Sequence, residues 1–183
     1  ALRRAGYDTR ASDLSAEMVR LTRKYAEESG VDLEVFQSGW EELHGCGDER
    51  YDVLLCVGNS FSHTRGREHR IETLGIFYEL LNEGGTLVLD TRNWDMWIGK
   101  GPEYNVLKHR FYEGKLYVPI YMWDRVELEK ESRLRIVFIE IDGGEQHEYE
   151  RTLGFTPYRH HDLLDESREA GFEVVRDTFD RRS

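Results

Sequence analysis

Short polar side chains and one arginine follow two apolar segments of strand length. Asn59 and Ser60 come directly after the apolar segment 51–57, and Arg92 follows the segment 86–90. Because ligands of open α/β sheets bind beyond the carboxyl ends of the strands, we expect these side chains to share one edge of a sheet. A guanidinium group at such an edge can form a two-pronged ion pair with a carboxylate.

Two aspartates, Asp90 and Asp95, stand close to Arg92 in the sequence. A salt bridge from Arg92 to Asp90 or Asp95 is the alternative interpretation of that arginine, with a purely structural role.

Asp13 lies at the end of a short extended segment and just before a predicted helix, where a carboxylate can accept hydrogen bonds from ribose hydroxyl groups. A helix cap or a turn residue is the alternative for Asp13.

The elements that must position these side chains alternate in type along the first half of the chain. Helices are predicted over residues 16–29, with Ser15 as the N-cap, and over residues 71–81. Strands are predicted over residues 33–36, 51–57 and 86–90. Strands that alternate with helices indicate crossover connections and a parallel sheet.

The second half of the chain changes character. Extended segments are predicted over residues 116–122, 124–130, 134–141 and 146–155. The sequence Asp142-Gly143-Gly144 predicts a hairpin turn between the last two of them. A helix over residues 161–170 and a strand over residues 172–178 follow. An antiparallel element therefore enters late in an α/β domain.

Composition excludes several classes of protein. The chain has 183 residues and a net charge of −11, which argues against binding to nucleic acids or to anionic membranes. No apolar run approaches the roughly 18 residues that a membrane-spanning helix needs, so we expect a cytoplasmic protein. Neither the histidines nor Cys46 and Cys56 have the spacing of a metal or redox motif, and Cys56 is expected to be a buried thiol.

Four groups of residues occur in a fixed order along the chain. They are Asp13, Ser15 and Met18; Trp40; Gly58, Asn59, Ser60, Phe61 and His63; and Gly84, Gly85, Asp90, Arg92, Asn93 and Asp95. Together they resemble the glycine N-methyltransferase family, and most of all the glycine/sarcosine N-methyltransferases of betaine synthesis. The resemblance covers essentially the whole chain.

The resemblance implies a binding site for S-adenosylmethionine. Asp13 is expected to hold its ribose and Met18 to pack on its adenine, although ordinary helix core is the alternative for Met18. The other implied cofactor contacts are Gly39 and Trp40 at the adenine end, and Val57, Ser60 and His63 near the sulfonium and amino-acid end. An isolated tryptophan such as Trp40 is otherwise interpreted as core.

The resemblance also implies the reaction, which is transfer of a methyl group to the nitrogen of glycine or sarcosine, with S-adenosylhomocysteine as product and no metal. Asn59 and Arg92 are expected to bind the amino-acid substrate, and Tyr112 to lie near the methyl group. All three are predicted catalytic residues. The alternatives are methylation of dimethylglycine or another small molecule, and a binding domain or fragment without activity.

The implied fold is the Rossmann-like sheet of class I methyltransferases with a late antiparallel β insertion. Three parts are expected: residues 1–99 as the cofactor-binding core, 100–155 as the substrate-side insertion, and 156–183 as a helix and strand that return to the core. The family's first strand and glycine-rich turn have no counterpart in the sequence. We therefore expect the edges of the flanking strands to be closed by direct pairing or by self-association, and we expect low activity.

Overall fold

The computed structural model describes residues 1–46 and 49–178. The side chain of Cys46 and residues 179–183 of the expected C-terminal part lie outside this description. None of the helices in the described ranges is long and apolar enough to cross a membrane.

The first half of the chain forms two pairs of parallel strands with helices between them. In chain order the elements are β1 (Arg10–Asp13), α1 (Ala16–Glu28), β2 (Glu34–Gln37), β3 (Tyr51–Cys56), α2 (Arg67–Glu79) and β4 (Leu81–Leu89). Strand β1 pairs with β2, and β3 pairs with β4. The expected parallel α/β organisation is confirmed.

Helix α1 begins where the sequence predicts. The side chain of Ser15 accepts a hydrogen bond from the backbone N–H of Met18, which satisfies one of the N–H groups left unpaired in a first helical turn. Gly30 then adopts a φ of +62°, a left-handed conformation that glycine tolerates, and the chain leaves the helix towards β2.

The two strand pairs are linked by side chains. Strand β1 does not pair directly with β3 among the described residues, although this was one expected way to close the strand edges. Instead, Arg10 on β1 forms ion pairs with Glu34 on β2, at 2.8 Å, and with Glu49 just before β3, at 2.5 Å. One guanidinium group therefore bridges the two pairs.

The second half of the chain forms an antiparallel sheet. Its strands are β5 (Glu103–Val106), β6 (Arg110–Tyr112), β7 (Lys115–Trp123), β8 (Ser132–Asp142) and β9 (Glu145–Phe155). Strands β8 and β9 form the predicted hairpin, with Gly143 and Gly144 at φ values of +55° and +96°. Positive φ at both positions suits the tight turns that match strand twist.

Two predicted strands are wrong. Residues 124–130 connect β7 to β8 as a loop in which Glu129 takes a φ of +56°, so the chain turns there and does not extend. Residues 172–178 follow helix α3 (His160–Glu169) without strand structure. Among the described residues β4 pairs with β3 alone, and a cavity of about 1140 Å³, lined by β4 on one side and by residues 172–178 on the other, separates the segment from the strand.

A shared aromatic core joins the parallel and antiparallel parts. Phe61, Phe77 and Tyr158 are at most 1% exposed, and Phe61 contacts both other rings at centroid distances of 6.4 and 6.1 Å. Trp94 packs against Trp123 of β7 at 6.1 Å. Ring packing of this kind fixes the ends of β3 and β4 against the antiparallel sheet.

Candidate functional site

The loop after β3 has a left-handed backbone. Gly58 and Asn59 have φ values of +74° and +65°. Asp90, just beyond the end of β4, holds both residues: its carboxylate accepts from the Gly58 N–H at 3.1 Å, and its backbone carbonyl accepts from the Asn59 N–H at 3.2 Å. Asparagine adopts such φ values more readily than most residues, so its presence at position 59 suits the backbone as well as the side-chain role described below.

The side chain of Asn59 has a fixed orientation. Its oxygen accepts hydrogen bonds from the Ser62 hydroxyl at 2.7 Å, the Thr91 hydroxyl at 3.3 Å and the backbone N–H of Arg92 at 2.8 Å. A backbone N–H can only donate, so the carbonyl oxygen of the amide must face these groups. The amide nitrogen therefore points the other way, and it donates to no atom of the described residues.

Arg92 is surrounded by aromatic rings and forms no ion pair within residues 1–46 and 49–178. Its guanidinium carbon lies 4.6 Å from the ring centroid of Trp97, 5.0 Å from that of Trp123 and 5.6 Å from that of Trp94. Its Nε is buried and has no hydrogen-bond partner in the part of the chain that the structure describes. Burial lowers the pKa of the guanidinium, although such a group stays charged at neutral pH.

The predicted alternative for Arg92, a salt bridge to Asp90 or Asp95, is wrong. The Asp90 carboxylate faces the Gly58 N–H, and Asp95 forms an ion pair with Arg159 at 3.1 Å. Both neighbouring aspartates are thus used elsewhere. The cation of Arg92 is left available in a protein whose net charge is strongly negative.

A cleft of about 450 Å³ opens at this edge of the β3–β4 pair. It is lined by Gly58, Asn59, Asp90, Thr91, Arg92, Asn93 and Trp97. A guanidinium group and an amide N–H group that face one cleft are donors that match a carboxylate. The structure therefore brings together Asn59 and Arg92, the two residues predicted to hold an amino-acid substrate.

The carboxyl end of β1 carries a second group of predicted residues. Asp13 is exposed, and one of its carboxylate oxygens accepts from the backbone N–H of Ser15 at 2.8 Å. The turn role considered for Asp13 is thus present, since Ser15 and not Asp13 caps α1, and the second oxygen of Asp13 remains open to a ligand. Met18, on the first turn of α1, is 48% exposed and is not part of the core.

Gly39 and Trp40 lie after β2. The ring of Trp40 packs against Phe61 at 6.2 Å and Phe77 at 6.0 Å, so this tryptophan is at least partly a core residue. A Cβ atom at Gly39 would lie 3.1 Å from the carboxylate of Glu41, so a larger residue there would require that side chain to move. These contacts do not test the predicted adenine contacts.

The remaining predicted cofactor residues lie around the loop after β3. Val57 is 49% exposed, and its carbonyl accepts from the Ser60 hydroxyl at 2.8 Å. His63 stacks on Phe155 at 4.5 Å, and its Nδ1 lies 2.7 Å from the carbonyl oxygen of Gly154. A carbonyl oxygen only accepts, so Nδ1 of His63 carries a proton.

Tyr112 lies apart from the cleft. It ends the short strand β6, is 64% exposed and does not line the cleft with Asn59 and Arg92. A hydrogen bond to Glu113 raises the pKa of its hydroxyl. Its predicted place near the reacting methyl group stays a prediction.

Sequence reasoning missed the groups that complete the cleft. Trp97 and Trp123 flank the guanidinium of Arg92, and Thr91 and Tyr158 support the loop from below. Only Thr91, next to Arg92, lay in a segment that the sequence singled out. Within the described residues, no three histidine, cysteine or acidic side chains are grouped so that they could hold a metal ion.

Comparison with known sequences identifies relatives of one kind. Residues 1–85 match a family described as a methyltransferase domain. The glycine/sarcosine N-methyltransferase of Aphanothece halophytica is 34% identical over 127 residues, which cover 69% of this chain and 44% of that protein. The enzyme of the same name from Halorhodospira halochloris is 40% identical over 91 residues, covering 50% of this chain and 34% of that protein. The chain thus spans less than half the length of these relatives.

Comparison with solved structures confirms the fold. An S-adenosylmethionine-dependent methyltransferase from Clostridium acetobutylicum matches with a TM-score of 0.75 at 15% identity, over 93% of this chain and 66% of that one. DesVI of Streptomyces venezuelae matches with a TM-score of 0.76 at 16% identity, over 91% and 66%. The Rossmann-like class I fold and the resemblance to glycine/sarcosine N-methyltransferases are therefore both confirmed.

Proposed function

We propose that this protein, which has the fold of class I S-adenosylmethionine-dependent methyltransferases and resembles the glycine/sarcosine enzymes in sequence, methylates the nitrogen of glycine and sarcosine. One observation carries the substrate assignment. The guanidinium of Arg92 has no acidic partner within the described residues and faces the same cleft as the amide of Asn59. Unpaired half-buried cations are costly, and a bound carboxylate compensates that cost.

The residues at the end of β1 fit the adenosine half of S-adenosylmethionine. The open oxygen of Asp13 can accept from a ribose hydroxyl, and the exposed thioether of Met18 can pack against adenine. Val57, at the end of β3, exposes apolar surface near the substrate cleft. When bound there, S-adenosylmethionine supplies a methyl group already activated by its sulfonium.

The protein's own groups then bind and orient the amine. Arg92 pairs with the substrate carboxylate through its planar fork, and the N–H groups of Asn59 donate to the same carboxylate. With the carboxylate held at these two points, the amino group has few orientations left, and proximity of this kind accounts for much of the rate enhancement of such reactions. The tryptophan rings around Arg92 exclude water, which strengthens the ion pair. The proton of the substrate ammonium group leaves to solvent.

One observation supports a second candidate substrate. A glycine/sarcosine/dimethylglycine N-methyltransferase from Actinopolyspora halophila is 32% identical over 110 residues, covering 58% of this chain and 19% of that protein. Dimethylglycine carries the same carboxylate, so Arg92 and Asn59 can bind it equally. Discrimination among the three amines must come from the space around their nitrogen.

A methylation assay with matched amines tests the proposal. Glycine, sarcosine and dimethylglycine are each offered with labelled S-adenosylmethionine, and glycinamide and ethylamine serve as amines without a carboxylate. We expect turnover of glycine and sarcosine and little turnover of the two controls. Equal turnover of glycinamide and glycine would contradict the carboxylate clamp.

We also propose a cytoplasmic location, which cell fractionation can test. We propose in addition that the chain divides into the three parts 1–99, 100–155 and 156–183, and limited proteolysis can test whether cleavage occurs near residues 99 and 155.

A further inference from the structure

The hydroxyl of Tyr158 lies beneath the substrate cleft. Tyr158 is 1% exposed, and its hydroxyl oxygen is 2.7 Å from the Thr91 hydroxyl and 3.4 Å from the Ser62 hydroxyl. Those two hydroxyls are the ones that contact the side-chain oxygen of Asn59. Tyr158 therefore touches Asn59 only through intermediaries, in a chain of hydrogen bonds shielded from water.

One arrangement of protons satisfies the hydrogen bonds from Trp94 and Tyr158 to Asn59 together. The indole N–H of Trp94 can only donate, and it donates to Ser62 Oγ at 2.7 Å. Ser62 and Thr91 each give their one hydroxyl proton to the oxygen of Asn59. In this arrangement the Thr91 hydroxyl accepts from the Tyr158 hydroxyl, and the hydroxyl protons point towards Asn59.

The ring of Tyr158 is itself held in place by a buried arginine. The guanidinium carbon of Arg70 lies 4.9 Å from the centre of the ring, and Arg70 is fully buried. Arg70 on α2 forms ion pairs of 2.7 Å with Glu166 on α3 and with Glu129 in the loop before β8. Three separate segments thus fix the position of one tyrosine.

The hydroxyl of Tyr158 must be protonated to donate to Thr91, and its surroundings favour the protonated form. Burial raises the pKa of the Tyr158 hydroxyl above its ordinary value. A neutral hydroxyl is required because a phenolate could not donate to Thr91.

We propose that Tyr158 is a positioning residue that fixes the amide of Asn59 through Thr91 and Ser62. This inference rests on the proposed function, in which the nitrogen of Asn59 donates to the substrate carboxylate. An amide that is free to rotate would present its oxygen to the carboxylate for part of the time, and two acceptors cannot form a hydrogen bond. Anchoring of the oxygen by three donors prevents that rotation.

The substitution Tyr158→Phe tests the proposal because it keeps the ring over Arg70 and removes only the hydroxyl. We expect the KM for glycine to rise by about three- to tenfold, as for loss of one buried hydrogen bond. The affinity for S-adenosylmethionine should change by less than about twofold, because none of its proposed contacts involves Asn59. Tyr149→Phe, at an exposed position on β9, is the matched control.

A double-mutant cycle with Asn59→Gly shows whether Tyr158 acts through Asn59. Glycine suits the left-handed backbone at position 59 and removes the amide. We expect Tyr158→Phe to have no further effect on the KM in the Asn59→Gly background. An equal rise in both backgrounds would overturn the proposal.

A readout without turnover separates this inference from the proposed function. The side-chain amide of Asn59 gives its own nitrogen–proton resonances, and we expect Tyr158→Phe to broaden or shift them while those of Asn105, on strand β5, stay unchanged. An unchanged Asn59 resonance would refute the positioning role. Absence of glycine methylation in the wild-type protein, with the Asn59 resonance still sensitive to Tyr158, would instead refute the proposed function.

Discussion

The carboxyl ends of β3 and β4 differ sharply from the carboxyl end of β1. At the first location, the side chain of Asn59 is held by three donors, and Arg92 lies among three tryptophan rings. At the second, Asp13 makes one local hydrogen bond and Met18 is half exposed. The proposed substrate groups are fixed before any ligand arrives, whereas Asp13 and Met18, the groups proposed to bind the adenosine half of the cofactor, make few contacts.

This difference has consequences for mutations. Groups that share hydrogen bonds and ring contacts respond together, so substitutions around Asn59 should be non-additive. Groups that contact little of the protein should affect ligand binding alone and leave stability almost unchanged. Each substitution below tests one side of this contrast.

The largest effect is expected for Glu166→Ala, which removes a carboxylate partner of Arg70, the residue that lies against the ring of Tyr158 beneath the substrate cleft. Arg70 is fully buried, and Glu166 is only 2% exposed, so the variant leaves a buried cation with Glu129 as its one carboxylate partner. We expect a loss of about 3 kcal/mol in the free energy of unfolding, measured by chemical denaturation. Glu173→Ala, at an exposed position, should cost less than about 0.5 kcal/mol. Equal stability of the two variants would show that this ion pair does not stabilise the fold.

The next effect is expected for Arg92→Lys, which keeps the charge and removes the planar fork. Turnover of glycine should fall by about 100-fold in kcat/KM, roughly 2.7 kcal/mol of transition-state binding, because lysine can neither pair at two points nor stack among the tryptophan rings in the same way. The affinity for S-adenosylmethionine should hold. Arg151→Lys, exposed on β9, is the control. Near-normal turnover by the lysine variant would contradict the carboxylate clamp.

A smaller effect is expected for Asp13→Ala at the carboxyl end of β1, where the side chains make few contacts. Loss of a charged acceptor for a ribose hydroxyl should weaken the binding of S-adenosylmethionine by about tenfold, as measured by titration calorimetry. Asp13→Asn separates the two roles of this residue, because asparagine can still accept from the Ser15 N–H. If Asp13 only stabilises the turn before α1, both variants will bind S-adenosylmethionine as the wild type does.

The sequence predicts those features that local patterns determine. The N-cap at Ser15 and the turn at Gly143 and Gly144 depend on residues within one turn of each other, and the structure has both. The strand predicted over residues 172–178 depends on a partner strand, which no local pattern can supply. The segment has strand-forming residues in Phe172, Val174 and Val175, but a strand also needs a ladder of hydrogen bonds.

The candidate site shows the same limit. The spacing of Asn59 and Arg92 after their strands predicted one shared cleft, because parallel strands end at a common edge. The partners of Arg70 could not be found in this way, since Glu166 lies 96 residues further along the chain. The salt-bridge alternative for Arg92 failed for a related reason: its aspartate neighbours in sequence are engaged elsewhere, and the ring of Trp123 comes from β7.

The smallest effect is expected for Met18→Ala, which tests whether Met18 belongs to the core or to the binding site. Because the side chain is 48% exposed, its removal should change the free energy of unfolding by less than about 0.5 kcal/mol. The adjacent Val19 is 3% exposed, and Val19→Ala should cost about 1–2 kcal/mol by the same denaturation measurement. If Met18 packs on adenine, its loss should weaken the binding of S-adenosylmethionine by about two- to fivefold, in line with a sulfur–aromatic contact. A stability loss equal to that of Val19→Ala would place Met18 in the core. The side chains at the end of β1 would then be held by the protein much as Asn59 and Arg92 are, and the difference between the two locations would disappear.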